Sequence, residues 1–415
     1  MGSTDDTAHV TDFPSFRPIQ PEEFPAYFKA VIEPFGYDVR DSDRESDRTV
    51  FEFDRSLAGF DGDQIVATSG TYSRRLTVPG GEVPVAAVTM VAVSPTHRRR
   101  GVLTEMMRQL LTGVHERGTE PIAALWATEA SIYGRFGYGV AARNMSLSGQ
   151  THKLTVAPGY GTNGRVRLLT PEEARPHQVR IYEAVRPTQV GWLDRSEVWW
   201  DFRLFDAEDA REGATAYRFA LHQDDSGTYD GYLVYRLGSH DDVREARIRD
   251  LVAVTTEAYA ALWRYIVGLD LVGRVKKSLL PADDAIQHLL TDRRAGEFQV
   301  RDGLWVRLVD VERALVERTY AGPVDVVFEV ADPFCPWNAG RWRLSGGPDG
   351  AKCTATTDEA DLAIDVTALG AVYLGGTRLT ELAAAGQVRE LRPGTLVPTS
   401  RAFLGDREPW CPEYF

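Results

Sequence analysis

The sequence contains few cysteines and no surplus of positive charge. Its three cysteines, Cys335, Cys353 and Cys411, lie far apart and form no C-x-x-C pair, so neither a disulfide framework nor a zinc cage is indicated. Lys and Arg number 47 against 60 Asp and Glu, which gives a formal net charge of -13. This balance argues against a nucleic-acid partner, because phosphate backbones are bound by clustered cations.

Long hydrophobic runs are also missing. The longest apolar-rich run, residues 83–93, is too short to cross a bilayer, and the first twelve residues lack the basic-then-apolar pattern of a signal peptide. We therefore expect a cytoplasmic protein with no membrane partner. The eight histidines show no paired ligand spacing, and we predict no metal. A length of 415 residues with 43% hydrophobic content favours two or three packed domains.

Local patterns predict an alternation of strands and helices. In the first part of the chain, β-favouring runs predict strands at residues 51–53, 64–67, 85–93 and 121–126. Apolar residues at helical spacing from Val102 predict an amphipathic helix that ends near Gly118. A Gly-rich loop at residues 158–164 suggests a domain boundary. Later strands are predicted at residues 251–254, 324–330, 340–344, 353–356 and 362–366.

The most informative segment covers residues 91–104, where a buried strand, a basic turn and a helix follow one another. The strand ends with Val91, Ala92 and Val93, the turn contains Arg98, Arg99, Arg100 and Gly101, and the helix begins with Val102, Leu103 and Thr104. The N-terminus of a helix offers unpaired N–H groups and a positive dipole end, which suit a pyrophosphate. Gly101 permits close approach of the ligand, and the arginines add charge-assisted contacts. The alternative is a basic surface loop without a ligand, but the flanking strand and helix favour a phosphate-bearing ligand.

This segment resembles the acetyl-coenzyme A loop of the GNAT superfamily of N-acetyltransferases, which has the form Arg/Gln-x-x-Gly-x-Gly/Ala. Arg98 and Gly101 match the pattern, whereas Leu103 departs from its last position. A more specific resemblance is to the enhanced intracellular survival (Eis) family. It rests on the Arg98–Leu103 loop, on the segment IYGRFGYG at residues 132–139 and on the aromatic C-terminus, and it covers essentially the whole chain.

The resemblance implies an α/β fold with mixed sheets, in which two tandem acetyltransferase-like domains precede a sterol-carrier-protein-like α+β domain. We expect an acetyl-CoA-binding domain at residues 13–158, a second acetyltransferase-like domain without a cofactor site at 159–303, and the third domain at 304–415. In the second domain, Glu257 begins a helix after the strand at residues 251–254, where it would repel pyrophosphate. The family also forms hexamers, so a homo-oligomer is implied.

The resemblance further implies a reaction and its residues. Acetyl-CoA would be the cosubstrate, its pantetheine arm paired with Val91, Ala92 and Val93, and the acceptor an amine of a polyamine or aminoglycoside. Tyr133 matches the family's catalytic tyrosine, and a phenol with a pKa of about 10 can protonate a leaving thiolate. The α-carboxylate of Phe415 would be the base, although a carboxylate of pKa about 3.5 needs burial or a water molecule to act. Thr128 and Glu129 would line the acetyl end of the cofactor.

Each assignment has an alternative. Tyr133 could be a core aromatic residue, and Glu129 a solvated surface residue. The C-terminal residue could fray, but the apolar area of the tail suggests that it docks. Glu22, Glu23 and Glu413 could attract ammonium groups, although the first two suit the start of a helix. The tryptophan-rich stretch at residues 192–200 could line a groove, but a core role is favoured.

Two other functions share these features. A lysine acetyltransferase acting on proteins or peptides would use the same cofactor residues and differ in the acceptor groove. A lipid-binding protein would keep the C-terminal domain and a vestigial acetyltransferase domain. The intact turn from Arg98 to Thr104 argues against the vestigial reading.

Overall fold

The computed structural model describes residues 13–415, and these form two compact units. One unit contains the described residues up to Tyr72 together with Val88–Gly113, and the other contains Ser73–Ala87 together with Val114–Phe415. Two strands contribute residues to both units, because each continues past the point of division. Within residues 13–415, every helix is too short or too polar to span a bilayer.

The first unit is built on a meander of antiparallel strands covered by helices. Strand β1 pairs with β2, and β2 forms a hairpin with β3 through the turn at Gly62 and Asp63. An aromatic cluster that includes Phe24, Tyr27 and Phe51 fills the space beneath two of the helices. The elements are β1 (Ser15–Arg17), α1 (Phe24–Ile32), α2 (Asp41–Val50), β2 (Leu57–Asp61), the start of β3 (Gln64–Val78), the end of β4 (Gly81–Val93) and most of α3 (Val102–Arg117).

The predicted helix after the basic turn is confirmed as α3. Its C-terminal glycine, Gly118, adopts the left-handed conformation with a φ of 66°, and its N–H group bonds back to Val114 and His115, as a glycine that ends a helix does. The prediction of a strand at residues 51–53 is wrong. Phe53–Arg55 forms a 3-10 turn, because the rings of Phe51 and Phe53 pack edge to face in the aromatic cluster instead of entering a sheet.

The second unit contains a larger set of elements. In chain order they are β5 (Ile122–Trp126), α4 (Ala130–Tyr133), β6 (Gly139–Val140), β7 (Arg143–Gln150), β8 (Arg165–Leu169), α5 (Pro171–Val185), α6 (Glu197–Arg203), β9 (Arg218–Gln223), β10 (Tyr229–His240), β11 (Val243–Ala253), α7 (Thr256–Val267), β12 (Arg274–Pro281), α8 (Ile286–Leu289), β13 (Glu297–Asp302) and β14 (Leu304–Leu308). Side-chain caps fix the helix starts: Thr170 forms a capping box with Glu173 at α5, and Thr255 caps α7.

Two sets of strands pair within this part of the unit. Strand β5 runs parallel to the first part of β4, with Val85–Ala87 opposite Ile122–Ala124, and antiparallel to β14, which also pairs with β6. The second set forms a sheet in the order β13-β7-β12-β11-β10-β9-β8. Sheet membership therefore crosses both of the predicted domain boundaries: β7 lies before residue 158 and joins the second set, and β14 lies after residue 303 and pairs with β5. The sequence did not indicate these pairings, because strands that pair over a long separation in the chain leave no local pattern.

The last third of the chain forms a small α+β domain. Its sheet has the order β17-β16-β15-β18-β19, and it packs with helices around a continuous apolar core that includes Phe328, Leu369 and Phe403. The predicted strands are all found, with small shifts at their ends. The elements are α9 (Val311–Val316), β15 (Val324–Ala331), β16 (Gly340–Gly347), β17 (Gly350–Ala355), β18 (Leu362–Asp365), α10 (Val366–Val372), α11 (Leu379–Ala384), β19 (Val388–Glu390) and α12 (Leu396–Phe403).

Candidate active site

The predicted cofactor segment lies in the first unit and has the strand, turn and helix that the sequence indicates. Strand β4 contains Met90 at a φ of 52°, and the Thr68 hydroxyl donates to the Met90 carbonyl over 2.9 Å. After Val93, the chain makes a short 3-10 turn at Pro95–His97 and enters the basic turn. Here Arg99 and Gly101 adopt left-handed conformations, with φ of 64° and 85°.

These two left-handed residues shape the turn before α3. The Gly101 carbonyl accepts the N–H of Glu105 over 3.0 Å and so begins the helix. A Cβ atom at Gly101 would meet nothing within 4 Å, so the space beside its backbone is open. Arg99 and Arg100 are exposed. Open space at the N-terminus of a long helix, beside two exposed arginines, is compatible with the predicted phosphate-bearing ligand.

Two side chains hold this turn in place. The Arg98 guanidinium donates to the carbonyls of Val93 and Pro34, over 3.2 and 3.3 Å. His97 is buried, and its Nε2 atom lies 3.0 Å from a carboxylate oxygen of Asp61. Among residues 13–415, no group of three or more His, Cys, Asp or Glu side chains is placed to hold a metal ion. The contact with Asp61 shows that His97 supports the turn.

The remaining predicted site residues lie in the second unit, after strand β5. Thr128 and Glu129 are exposed, and Glu129 precedes the short helix α4, which ends at Tyr133. Tyr133 is 5% exposed, and its ring contacts that of Tyr138 edge to face. Burial, together with the negative charge of Glu129, raises the pKa of Tyr133 to about 12. The phenol is thus fully protonated at neutral pH and able to donate its proton.

The C-terminal tail is docked. Trp410 donates its backbone N–H to Val190 and packs edge to face on Trp192, while Cys411 is fully buried. At the end of the chain, the Tyr414 ring lies 4.4 Å from the ring of Trp126. Phe415 is half-buried and packs against the apolar core of the unit. The terminal carboxylate is therefore held on the protein and does not end a frayed segment.

Glu413 anchors this tail through ion pairs, which corrects the prediction that it attracts ammonium groups. It is 3% exposed, with one carboxylate oxygen 3.0 Å from Arg74 and the other 2.7 Å from Arg195. Burial alone would raise its pKa, but the charges of Arg195, Arg74 and Arg203 lower it below the usual value. Its carboxylate is already bound, so it offers no free charge to a substrate.

Further contacts extend the anchor to the neighbouring strands. Arg203 donates to the Pro412 carbonyl over 2.9 Å, and Asp250 accepts from both Arg195 and Arg203 over 2.8 Å. The Trp126 indole N–H donates to the Glu413 carbonyl over 3.0 Å. The sequence gives little indication of this network, because its members are spread over more than three hundred positions and follow no local motif.

The predictions for Glu22, Glu23 and the tryptophan-rich stretch concern structural roles. Glu22 and Glu23 form a 3-10 turn that leads directly into α1, as the helix-start interpretation requires, and Glu23 pairs with Arg17 over 2.6 Å. Trp192 and Trp200 are buried in the core together with Tyr182, which confirms the core role favoured for them.

Comparison with family models defines the class of protein: an N-acetyltransferase of the GNAT superfamily. Family models for an acetyltransferase (GNAT) domain match residues 15–141 and 191–308, and a model for a sterol carrier protein domain matches residues 311–412. The use of acetyl-CoA follows from this class.

Whole-chain comparisons give the family. The chain is 41% identical over 406 residues to an uncharacterized N-acetyltransferase of Streptomyces avermitilis, covering 96% of this chain and 99% of the relative. It is 39% identical over 361 residues to the N-acetyltransferase Eis of Mycobacterium tuberculosis, covering 83% and 84%. The crystal structure of Eis1 from Mycobacterium abscessus superimposes with a TM-score of 0.83 at 34% identity, over 97% of this chain and 100% of that one. The chain belongs to the Eis family of N-acetyltransferases.

Proposed function

We propose that this protein transfers the acetyl group of acetyl-CoA to an amine of a polycationic small molecule of the aminoglycoside or polyamine type. The observation that carries the proposal is the docked C-terminus, because it holds a carboxylate in the same unit as the buried, protonated Tyr133. A cationic acceptor suits a chain of net charge -13.

In this proposal, Arg98, Arg99, Arg100, Gly101 and the helix start at Val102–Thr104 bind the phosphates of acetyl-CoA. Val91–Val93 provide a strand edge for its pantetheine arm. Acetyl-CoA supplies a thioester whose thiolate is a good leaving group. Support comes from the left-handed backbone at Arg99 and Gly101, which turns successive N–H groups towards one side.

The reacting groups need one acid and one base. Tyr133 donates its proton to the leaving thiolate, which its raised pKa permits without loss of the proton beforehand. The α-carboxylate of Phe415 accepts a proton from the substrate ammonium group, directly or through a water molecule. The neutral amine then attacks the thioester carbonyl, and the C–N bond forms as the C–S bond breaks. Thr128 and Glu129 lie at the acetyl end, and Glu129 helps to keep Tyr133 protonated.

The other domains have supporting roles in the proposal. The region from residue 159 to 303 binds no cofactor: Glu257 accepts the backbone N–H groups of Gly161, Thr162 and Asn163. The Glu257 carboxylate thus already occupies these three N–H donors, and it places negative charge at the start of α7. The region from 304 to 415 carries the catalytic C-terminus. We further propose a homohexamer located in the cytoplasm.

The test follows thiol release from acetyl-CoA with polyamine, aminoglycoside and lysine-peptide acceptors. We expect Tyr133→Phe to lower kcat by about two orders of magnitude or more, the usual contribution of a general acid. Tyr138→Phe is the matched control, since it removes a buried hydroxyl without a hydrogen-bond partner from the neighbouring ring. Deletion of Phe415 should also abolish turnover, whereas Phe415→Leu keeps the terminal carboxylate and should retain it.

The panel separates the alternatives. Turnover on lysine peptides alone would keep the enzyme class and replace the acceptor. Full activity of Tyr133→Phe, with Tyr138→Phe unchanged, would remove Tyr133 from its proposed role. Lipid binding without any turnover would favour a binding protein.

A further inference from the structure

One side chain without a part in the proposed reaction contacts the last residues of the docked tail. Trp126 is the final residue of strand β5, where its backbone is paired with Leu304 of β14. Its indole N–H group donates to the Glu413 carbonyl over 3.0 Å, and the centroid of its ring lies 4.4 Å from that of Tyr414. A residue fixed in a sheet thus contacts the chain immediately before Phe415.

Three successive carbonyl groups of the tail, those of residues 411–413, each accept a hydrogen bond from a different element of the fold. The donors are, in that order, Asn144 of β7 over 3.0 Å, Arg203 of α6 over 2.9 Å and Trp126 of β5 over 3.0 Å. The Cys411 thiol also donates to the Glu413 carbonyl over 3.2 Å, but a thiol is a weak donor. Trp126 therefore provides the last strong hydrogen bond along the tail.

The two residues after Glu413 have few other restraints. In the part of the chain that the structure describes, Tyr414 and Phe415 form no hydrogen bond or ion pair. Tyr414 is 57% exposed, and Phe415 packs against the same apolar core as Trp126. The direction in which the chain leaves Glu413 is therefore set by Trp126 together with the packing of the terminal ring.

The end of β5 also connects the proposed base with the proposed acid. The chain that follows Trp126 passes Thr128 and Glu129 and enters α4, which ends at Tyr133. The end of β5 thus leads to the acid through the main chain and holds the tail through the Trp126 side chain. Such placement matters for the rate, because a displacement of about 1 Å can slow a reaction about a hundredfold.

We propose that Trp126 is a positioning residue, whose indole N–H group and ring orient the last two residues so that the α-carboxylate of Phe415 faces the acceptor amine; this inference rests on the proposed acetyl transfer. The role differs from that of Glu413, which anchors the tail as a whole. Loss of the indole N–H group releases residues 414–415 while the rest of the tail stays docked. The rate of the reaction should therefore fall without a loss of affinity for acetyl-CoA.

The first experiment removes the N–H group and then restores it. Trp126→Phe keeps an aromatic ring beside Tyr414, and we expect kcat to fall about fivefold to tenfold, the usual effect of one lost hydrogen bond between neutral groups, with the KM for acetyl-CoA nearly unchanged. Trp126→His should recover most of kcat, because its Nε2 atom, like the indole nitrogen, lies two bonds from Cγ. The control is Trp342→Phe, since Trp342 is also half-buried and donates its indole N–H to the Asn338 carbonyl over 2.8 Å. This control should keep the wild-type kcat.

Digestion with a carboxypeptidase separates positioning from the reaction. Release of Phe415, followed by mass spectrometry, measures how often the last two residues leave the surface, and labelling of the fully buried Cys411 thiol reports undocking of the whole tail. We expect Trp126→Phe to release Phe415 about fivefold to tenfold faster with unchanged labelling of Cys411, and Trp126→His and Trp342→Phe to stay near the wild type.

The outcomes distinguish the two proposals. If no amine is acetylated while the digestion pattern holds, the proposed function fails and the hold of Trp126 on the C-terminus stands. If amines are acetylated and Trp126→Phe retains the wild-type kcat, or if its Phe415 is released no faster, the positioning role is overturned. A parallel rise in Cys411 labelling would also overturn it, because Trp126 would then anchor the whole tail.

Discussion

Replacement of Glu413 by Gln tests whether the ion pairs of this residue hold the C-terminal tail in its docked position. The substitution keeps the size and shape of the side chain and removes one negative charge. In the wild type, Arg74, Arg195 and Arg203 surround this carboxylate, and the side chains of Arg74 and Arg195 are fully buried. The variant leaves one of these positive charges without compensation in a site from which water is excluded.

The size of the effect follows from burial. Removal of one partner from a buried ionic network costs about 3–5 kcal/mol, and each 1.4 kcal/mol is a factor of about ten in an equilibrium constant. The equilibrium between docked and undocked tail should therefore shift by a factor of roughly one hundred or more. Because the folded pKa of Glu413 is lowered, its stabilisation is present above the unfolded pKa of about 4.3 and is lost as the pH falls through the folded pKa. The shift should thus be constant from about pH 5 to 8.

Cys411 provides the assay, since it is fully buried two residues before Glu413. Burial, with the nearby charge of Glu413, raises the pKa of its thiol to about 12, so it reacts only when the tail undocks. We expect its labelling rate with a thiol reagent, mapped by mass spectrometry, to rise about one hundredfold or more in Glu413→Gln. Thiol release from acetyl-CoA should fall in parallel.

A second glutamate of the same tail provides the control. Glu408, in the same tail, pairs with Arg143 over 2.7 Å on a more exposed surface, where an ion pair contributes at most about 1 kcal/mol. Glu408→Gln should leave the labelling rate nearly unchanged. Equal labelling rates for Glu413→Gln and the wild type would show that apolar packing, and not the ion pairs, holds the tail.

Three further predictions concern single positions. Gly101→Ala should raise the KM for acetyl-CoA about tenfold. Gly36→Ala is the control, because Gly36 has a similar φ of 80° and equally open space around it. It should carry the same backbone strain of about 1 kcal/mol and leave the KM unchanged. Burial lowers the pKa of Lys277 to about 7. Below that pH the buried ammonium group destabilises the folded state, and this destabilisation decreases as the pH rises. Lys277→Met should therefore raise the melting temperature more at pH 6 than at pH 9. Gly139→Ala would place a Cβ atom 2.0 Å from the Thr367 carbonyl, and we expect less soluble protein and a melting temperature lower by several degrees.

The parts predicted well from sequence are those whose cause is local. The helix α3 is specified by apolar residues at helical spacing and by Gly118, and the turn before it by Arg99 and Gly101. The strand β4 is specified by a run of β-favouring residues. The wrong strand at residues 51–53 shows the limit of such patterns, because two phenylalanines separated by one residue suit either a strand or an aromatic cluster.

The sequence by itself determined the family, the succession of helices and strands, and the basic turn between β4 and α3, since each of these depends on residues close together in the chain. Only the tertiary structure decided that Glu413 is bound to Arg74 and Arg195, and that β7 and β14 join sheets across the expected boundaries. Such pairings join residues that are distant in the chain. Their effect also depends on burial, because the carboxylate of Glu413 anchors the tail only where water is excluded from its ion pairs.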